Sequence, residues 1–157
     1  DSSTSRGLGD VYKRQKIINQ GKIMPAITCD AEALPFQSNY FDCVTIAFGL
    51  RNMTNKDKAL QEIYRVLSPG GKVIILEFSH VHKQLKKAYD LFSFQIIPKL
   101  GKLFAQDESS YQYLVESIRV HPNQEELKKL MEEQEFENVS YVNLSAGIVA
   151  IHKGYKI

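Results

Sequence analysis

The chain has 157 residues, 43% hydrophobic and 24% charged, and its 20 basic and 18 acidic side chains leave a formal charge of +2. That length suits one domain burying about two thirds of the surface its unfolded chain exposes, and nine glycines and five prolines exclude collagen-like or low-complexity classes. So small a surplus of positive charge lacks the clustered phosphate neutralisation that drives nucleic-acid binding, and no nucleic-acid partner is expected.

Residues 1–15, DSSTSRGLGDVYKRQ, carry turn formers without periodicity and no initiating methionine. They are expected to be foreign to the domain, as a cloning or assembly scar is, with the domain starting near Lys16. KIINQGK fits a last helical turn, and IMPAITCD predicts a strand over 26–30 entered through Pro25. The loop AEALPFQSNY leads to a predicted strand over 42–48. A helix over 56–67 follows, with Ala59, Leu60, Ile63, Val66 and Leu67 on one face and Asn55 or Thr54 as cap. Pro69, Gly70 and Gly71 stop it before a strand over 72–78, KVIILEF. Its consecutive apolar residues fit a parallel strand covered on both faces.

Beyond Phe78, Leu85, Ala88, Tyr89, Phe92 and Ile96 recur at helical spacing, and a second helix is predicted near 109–118, so about 80–122 reads as a helical insertion. QEELKKLMEEQ predicts another helix, with Leu127, Leu130 and Met131 inward and a capping-box variant from Asn123 to Glu126. NVSYVNL and GIVAIHKGYK, separated by SAG, predict a closing hairpin, an antiparallel edge on an otherwise parallel, doubly wound α/β sheet.

Cys29 and Cys43 lie in apolar strand-like runs without Cys or His at metal spacing, so both are expected to be buried and no metal site is expected. Unpaired thiols without a secretory h-region point to a cytoplasmic setting. Apolar runs such as VIILEF are far shorter than the roughly 18 residues of a spanning helix.

The segments DAEALPF, FDCVTIAFGLRNMTNKDKAL, RVLSPGGKVIILEFS, YLVESIRVHPNQEELKKLM and SAGIVAIHKGYK, in this order, resemble the ubiquinone/menaquinone biosynthesis C-methyltransferase family over about residues 16–157. LPF and L.PGG are widespread among methyltransferases, whereas FGLRN with ESIRVHP is narrow. The resemblance implies a Rossmann-like class I fold, with S-adenosylmethionine as methyl donor and a polyprenylated quinol as acceptor. Methylation at carbon requires a phenolate-like ring and an in-line approach to the sulfonium methyl, and positioning alone supplies roughly 7–11 kcal/mol in well-oriented systems.

Ligands of open α/β sheets bind beyond the carboxyl ends of the strands. By resemblance, Asp30 holds the adenine amino group and Ala31 offers its backbone N–H; the alternative is that Asp30 caps a loop. Ala47 stands where several relatives carry serine, which leaves only backbone contact with the cofactor. Arg51 and Asn52 emerge into the same crevice, where they would orient the quinol oxygens. A guanidinium does not give up its proton, so Arg51 would stabilise phenolate rather than act as base; the alternative is an ion pair with Asp57 or Glu77. His121, Asp90 and Tyr89 are the candidate bases. His121 is preferred because an unperturbed imidazole titrates near neutrality, against a plain loop role before Pro122. Tyr89 also joins Asn52 as a substrate contact.

Lys83, Lys86, Lys87, Lys99 and Lys102 share one segment with four aromatics, either as a lid that draws an isoprenoid tail from a membrane surface or as an ordinary wet helix face. The family's glycine-rich loop and the acidic residue of its second strand are absent from these residues, so its N-terminal strands are missing. The chain alone is expected to bind cofactor weakly and to be inactive. Competing readings are a methyltransferase of the same fold acting on another small phenol or amine, and an inactive subunit of a quinone-synthesis complex. A homodimer is a further partner to test. A NAD-linked reductase fits poorly without GxGxxG.

Overall fold

Asn55 starts the first helix: its side chain accepts the Lys58 N–H at 3.0 Å, and α1 then runs over Lys56–Val66. This is a computed structural model, and it describes residues 25, 27–81 and 108–157. Ahead of α1 lie β1, Phe41–Ala47, and a 3-10 turn, Leu50–Asn52. After it come β2, Leu67–Phe78, then α2, Glu108–Val120, and α3, Gln124–Glu133. The chain closes with β3, Glu137–Leu144, and β4, Val149–Tyr155, joined through a turn at Ser145–Gly147.

Among the described residues the four strands form one sheet in the order β1-β2-β4-β3. β1 and β2 are parallel, whereas β4 runs antiparallel to both β2 and β3. β1, β2 and β3 thus run in one direction and β4 alone is reversed, the antiparallel edge expected of the closing hairpin. The predicted faces of α1 and α3 and the closing hairpin are present. Ala59, Leu60, Val66 and Leu67 are fully buried, and Leu127 and Met131 meet them in the core with Val73, Ile75 and Phe136. Asn123 accepts from the Glu125 and Glu126 N–H groups while the Glu126 carboxylate accepts the Asn123 N–H, completing the capping box.

Four differences have physical causes. First, the SPGG stop lies inside β2: pairing jumps from Phe41↔Leu67 to Cys43↔Lys72, and the extra residues loop out with Gly70 at φ +82°. At Gly71 a Cβ would lie 2.7 Å from the Ser68 carbonyl oxygen, so that bend requires glycine. Second, β2 alternates: Val73, Ile75 and Glu77 are buried, whereas Ile74, Leu76 and Phe78 are only partly covered. Third, residues 27–29 form no strand, and Asp30 makes only an isolated bridge to Ala33. No described strand lies along the outer edge of β1 to take up a ladder from them. Fourth, Cys29 and Cys43 are both exposed rather than buried. Cys43 shares with Thr45 and Ala47 the outward face of an edge strand, while Val44 and Ile46 turn inward.

Residues 1–15, the helical turn at KIINQGK, and most of the predicted insertion, with Tyr89, Asp90 and the five lysines, lie outside the described residues.

Candidate active site

β1 ends at Ala47, which is exposed, and Phe48 turns the chain with φ +55°. A bulky residue in the left-handed region stores roughly 1–3 kcal/mol of strain, so the surroundings must hold it there. They do: the Phe48 N–H donates to the Leu76 carbonyl at 2.9 Å, and its ring tilts against Phe78 with centroids 4.9 Å apart. Fully buried Leu50 then anchors the 3-10 turn, which presents Arg51 and Asn52 at the carboxyl end of the parallel pair.

Arg51 is ion-paired. Its Nη1 donates to Glu77 Oε1 at 2.9 Å and to the Phe48 carbonyl, and its guanidinium lies over the Phe78 ring, 5.3 Å from the centroid. The Arg51 backbone N–H donates to Glu77 Oε2 at 3.2 Å, and the Phe78 N–H to Glu77 Oε1 at 2.9 Å. The side chains of Arg51 and Glu77 are 11% and 1% exposed. The ion-pair alternative is thus the observed arrangement, with Glu77 and not Asp57 as partner. The cation expected to face the substrate has its charge compensated inside the protein, and its Nε finds no partner among the described residues. What Glu77 fixes is the shape of the turn, because it grips both the side chain and the backbone of Arg51.

Asn52 is exposed, its own N–H donates to the Gly49 carbonyl, and its Oδ1 accepts a hydrogen bond from the Tyr113 hydroxyl at 3.0 Å. Tyr113, on α2, is 55% exposed. Phe48 and Tyr113 are thus both exposed aromatics, the first packed on Phe78 beside the Arg51–Glu77 pair and the second bonded to Asn52.

Asp30 and Ala31 belong to a loop docked on α1. Glu32 Oε1 accepts the Asn55 N–H at 2.8 Å and Glu62 Oε2 the Leu34 N–H at 2.8 Å, while Arg65 donates to the carbonyls of Leu34 and Phe36. The Arg65 hydrogen bond also holds the Glu62 carboxyl below its usual range. Since Asn55 opens the helix a few residues after Asn52, these contacts tether the loop at the same end of β1 as the turn. Asp30 Oδ1 accepts the Glu32 N–H at 2.9 Å, so the loop-capping role foreseen for Asp30 is present.

His121 departs most from expectation. It is 2% exposed, and neither ring nitrogen has a partner among the described residues. Burial pushes its pKa down to about 4, aided by the nearby charges of Lys56, His152, Arg51 and His80. At neutral pH it is an uncharged imidazole and a weak base, so the reason for preferring it, titration near neutrality, does not hold. Its neighbours Val120 and Pro122 line a cleft of about 480 Å³ facing Thr54, Asn55 and Lys56 at the start of α1.

Sequence reasoning treated Glu77 only as one of two structural partners for Arg51 and missed Tyr113. A lone carboxylate within VIILEF was a usable signal for Glu77. Nothing in YQYLVESI marks which tyrosine reaches Asn52. Among the described residues no group of three or more His, Cys, Asp or Glu is placed to hold a metal, and no helix is long and apolar enough to cross a membrane.

Comparison with known proteins follows the same lines. The model of the ubiE/COQ5 methyltransferase family matches residues 11–156. The ubiquinone/menaquinone biosynthesis C-methyltransferase of Nitrosospira multiformis is 58% identical over 143 residues, 91% of this chain and 59% of that protein. Its counterpart in Neisseria meningitidis serogroup C is 57% identical over 91% of this chain and 58% of that one. The chain thus spans under two thirds of the length of these relatives. Among solved structures, the CurJ carbon methyltransferase aligns with a TM-score of 0.60 at 18% identity, over 92% of this chain and 38% of that one. A SAM-dependent methyltransferase from Aquifex aeolicus aligns at 0.57 and 14% identity, over 93% and 62%. These structures share the class I methyltransferase fold with this chain. With a family model matched over nearly all of its length and relatives at 58% identity, the chain belongs to the ubiE/COQ5 methyltransferase family.

Proposed function

We propose that the whole protein transfers a methyl group from S-adenosylmethionine to a ring carbon of a polyprenylated quinol in menaquinone or ubiquinone biosynthesis. The acceptors in view are demethylmenaquinol and 2-methoxy-6-polyprenyl-1,4-benzoquinol. The observation that carries this reading is the 58% identity to a protein named as a ubiquinone/menaquinone biosynthesis C-methyltransferase. The turn at Leu50–Asn52, which exposes Asn52 at the carboxyl end of a parallel strand pair, supports it, since ligands of such sheets bind there.

The chain's own residues fit parts of this task. Asp30 gives one carboxylate oxygen to its turn and leaves the second for an amino donor such as that of adenine, with the Ala31 N–H beside it and the Ala47 backbone at the end of β1. When bound, S-adenosylmethionine supplies an electrophilic methyl group. Asn52 is the exposed polar group that would meet a quinol oxygen. Arg51, its charge balanced by Glu77, holds the turn that presents Asn52. Tyr89 remains a proposed substrate contact. An acceptor with an isoprenoid tail calls for a cytoplasmic enzyme that meets the membrane at its surface, and retention on anionic liposomes at low salt with release at high salt is the measurement for that contact.

Two experiments test the reading. Incubating the whole protein with S-adenosylmethionine and demethylmenaquinol should give a product one methyl group heavier by mass spectrometry; methylation of simple phenols but not of the quinol would favour another small-molecule methyltransferase. Asp30→Asn keeps an oxygen for the Glu32 N–H, so it should weaken S-adenosylhomocysteine binding about 10-fold by calorimetry while leaving the melting temperature in place. Unchanged affinity would reduce Asp30 to a loop cap.

A further inference from the structure

From the Tyr113–Asn52 contact we infer that Tyr113 is a positioning residue for substrate recognition: it holds the Asn52 amide so that its N–H groups face the acceptor oxygen. The inference rests on the proposed quinol reading and extends it to a residue on another element. A tyrosine hydroxyl has one proton to donate, and at 3.0 Å from Asn52 Oδ1 it donates to the carbonyl side of the amide. In this arrangement the Nδ2 donors point away from Tyr113.

Three further observations agree. The backbone under Asn52 is already fixed, by its N–H on the Gly49 carbonyl and by Glu77 gripping the residue before it, so the two side-chain torsions are the freedom that remains. α2 packs directly on the 3-10 turn, which makes the contact part of a helix–turn interface. Phe48 and Tyr113 both expose large aromatic surface, 38% and 55% respectively. An aromatic acceptor ring with an oxygen at its edge suits such a surface, stacking on a ring face while the Asn52 N–H meets the oxygen. The recognised chemistry is a ring oxygen that gains negative charge as the adjacent carbon attacks, the circumstance in which a fixed neutral donor gains strength.

The test is steady-state kinetics on the whole protein with S-adenosylmethionine and a water-soluble short-chain demethylmenaquinol analogue. Tyr113→Phe removes the hydroxyl alone and should lower kcat about 10-fold with KM for S-adenosylmethionine unchanged, and Asn52→Ala should lower it about 100-fold. Because the hydroxyl acts through the amide, Tyr113→Phe in the Asn52→Ala background should cost less than about 2-fold more. A tyrosine serving only as structure would lower the melting temperature and act equally in both backgrounds. A single-variant kcat within about 2-fold of the parent, or a full additive effect in the double variant, overturns the inference while the quinol reading stands. A parent protein that does not methylate the analogue overturns the quinol reading itself.

Discussion

Replacing Glu77 with glutamine probes the buried pair with little change in volume. The carboxylate accepts three hydrogen bonds: Arg51 Nη1 and the Phe78 N–H on Oε1, and the Arg51 N–H on Oε2. A glutamine has one oxygen. Placed at Oε1 it keeps two of the three bonds and sets its NH2 against the Arg51 N–H; the other orientation opposes two donors instead of one. Either way the guanidinium, 11% exposed, loses its counter-charge. Breaking a buried pair from one side costs about 3–5 kcal/mol, and since Arg51 retains some access to water the lower end, about 3 kcal/mol, is expected. For a domain of this size that is a fall in melting temperature of about 6–12 °C, measurable by calorimetry or urea unfolding of the chain. Substituting both partners, Glu77→Leu with Arg51→Met, leaves no buried charge alone but takes the acceptor from the Arg51 and Phe78 N–H groups, so it should recover only part of the loss. A loss below about 1 kcal/mol for Glu77→Gln would refute the reasoning, since that is the range of a solvated surface pair.

Two other outcomes follow from burial. The His121 pKa falls from 6.5 to about 4 on folding, chiefly through desolvation. Its neutral form thus contributes stability that is full above about pH 6.5 and lost as pH drops toward 4, up to about 3 kcal/mol. The variant His121→Leu should flatten that slope in urea titrations at stepped pH. His152, whose pKa burial also lowers, remains in both proteins, so the difference isolates His121, and parallel slopes would contradict its burial. Cys29 and Cys43 are both exposed. Both thiols should therefore react with a disulfide reagent in the native protein as fast as in urea, and protection of either would restore the buried strand first expected there.

Local pattern was enough for the elements whose partners are close in sequence. The face of α1, the Asn123–Glu126 capping box and the hairpin through SAG were legible because a helix stripe or a cap is satisfied within one or two turns. The strand at 26–30 was not, because an apolar run becomes a strand only when another backbone lies alongside it. The same dependence exposed Cys43, whose face of β1 no described element covers. Family motifs named Arg51 and Asn52, yet residue type could not say whether the guanidinium faces solvent or a buried carboxylate 26 residues away. Nor could it pick out Tyr113, 61 residues from Asn52.

The sequence by itself determined the α/β class, the helix boundaries and the family, since periodicity, capping and motif order are properties of the linear chain. Tertiary structure alone decided which charges are neutralised, which imidazole is desolvated and which tyrosine meets Asn52. Electrostatic state depends on distance and burial, and those exist only once segments remote in the chain have packed together.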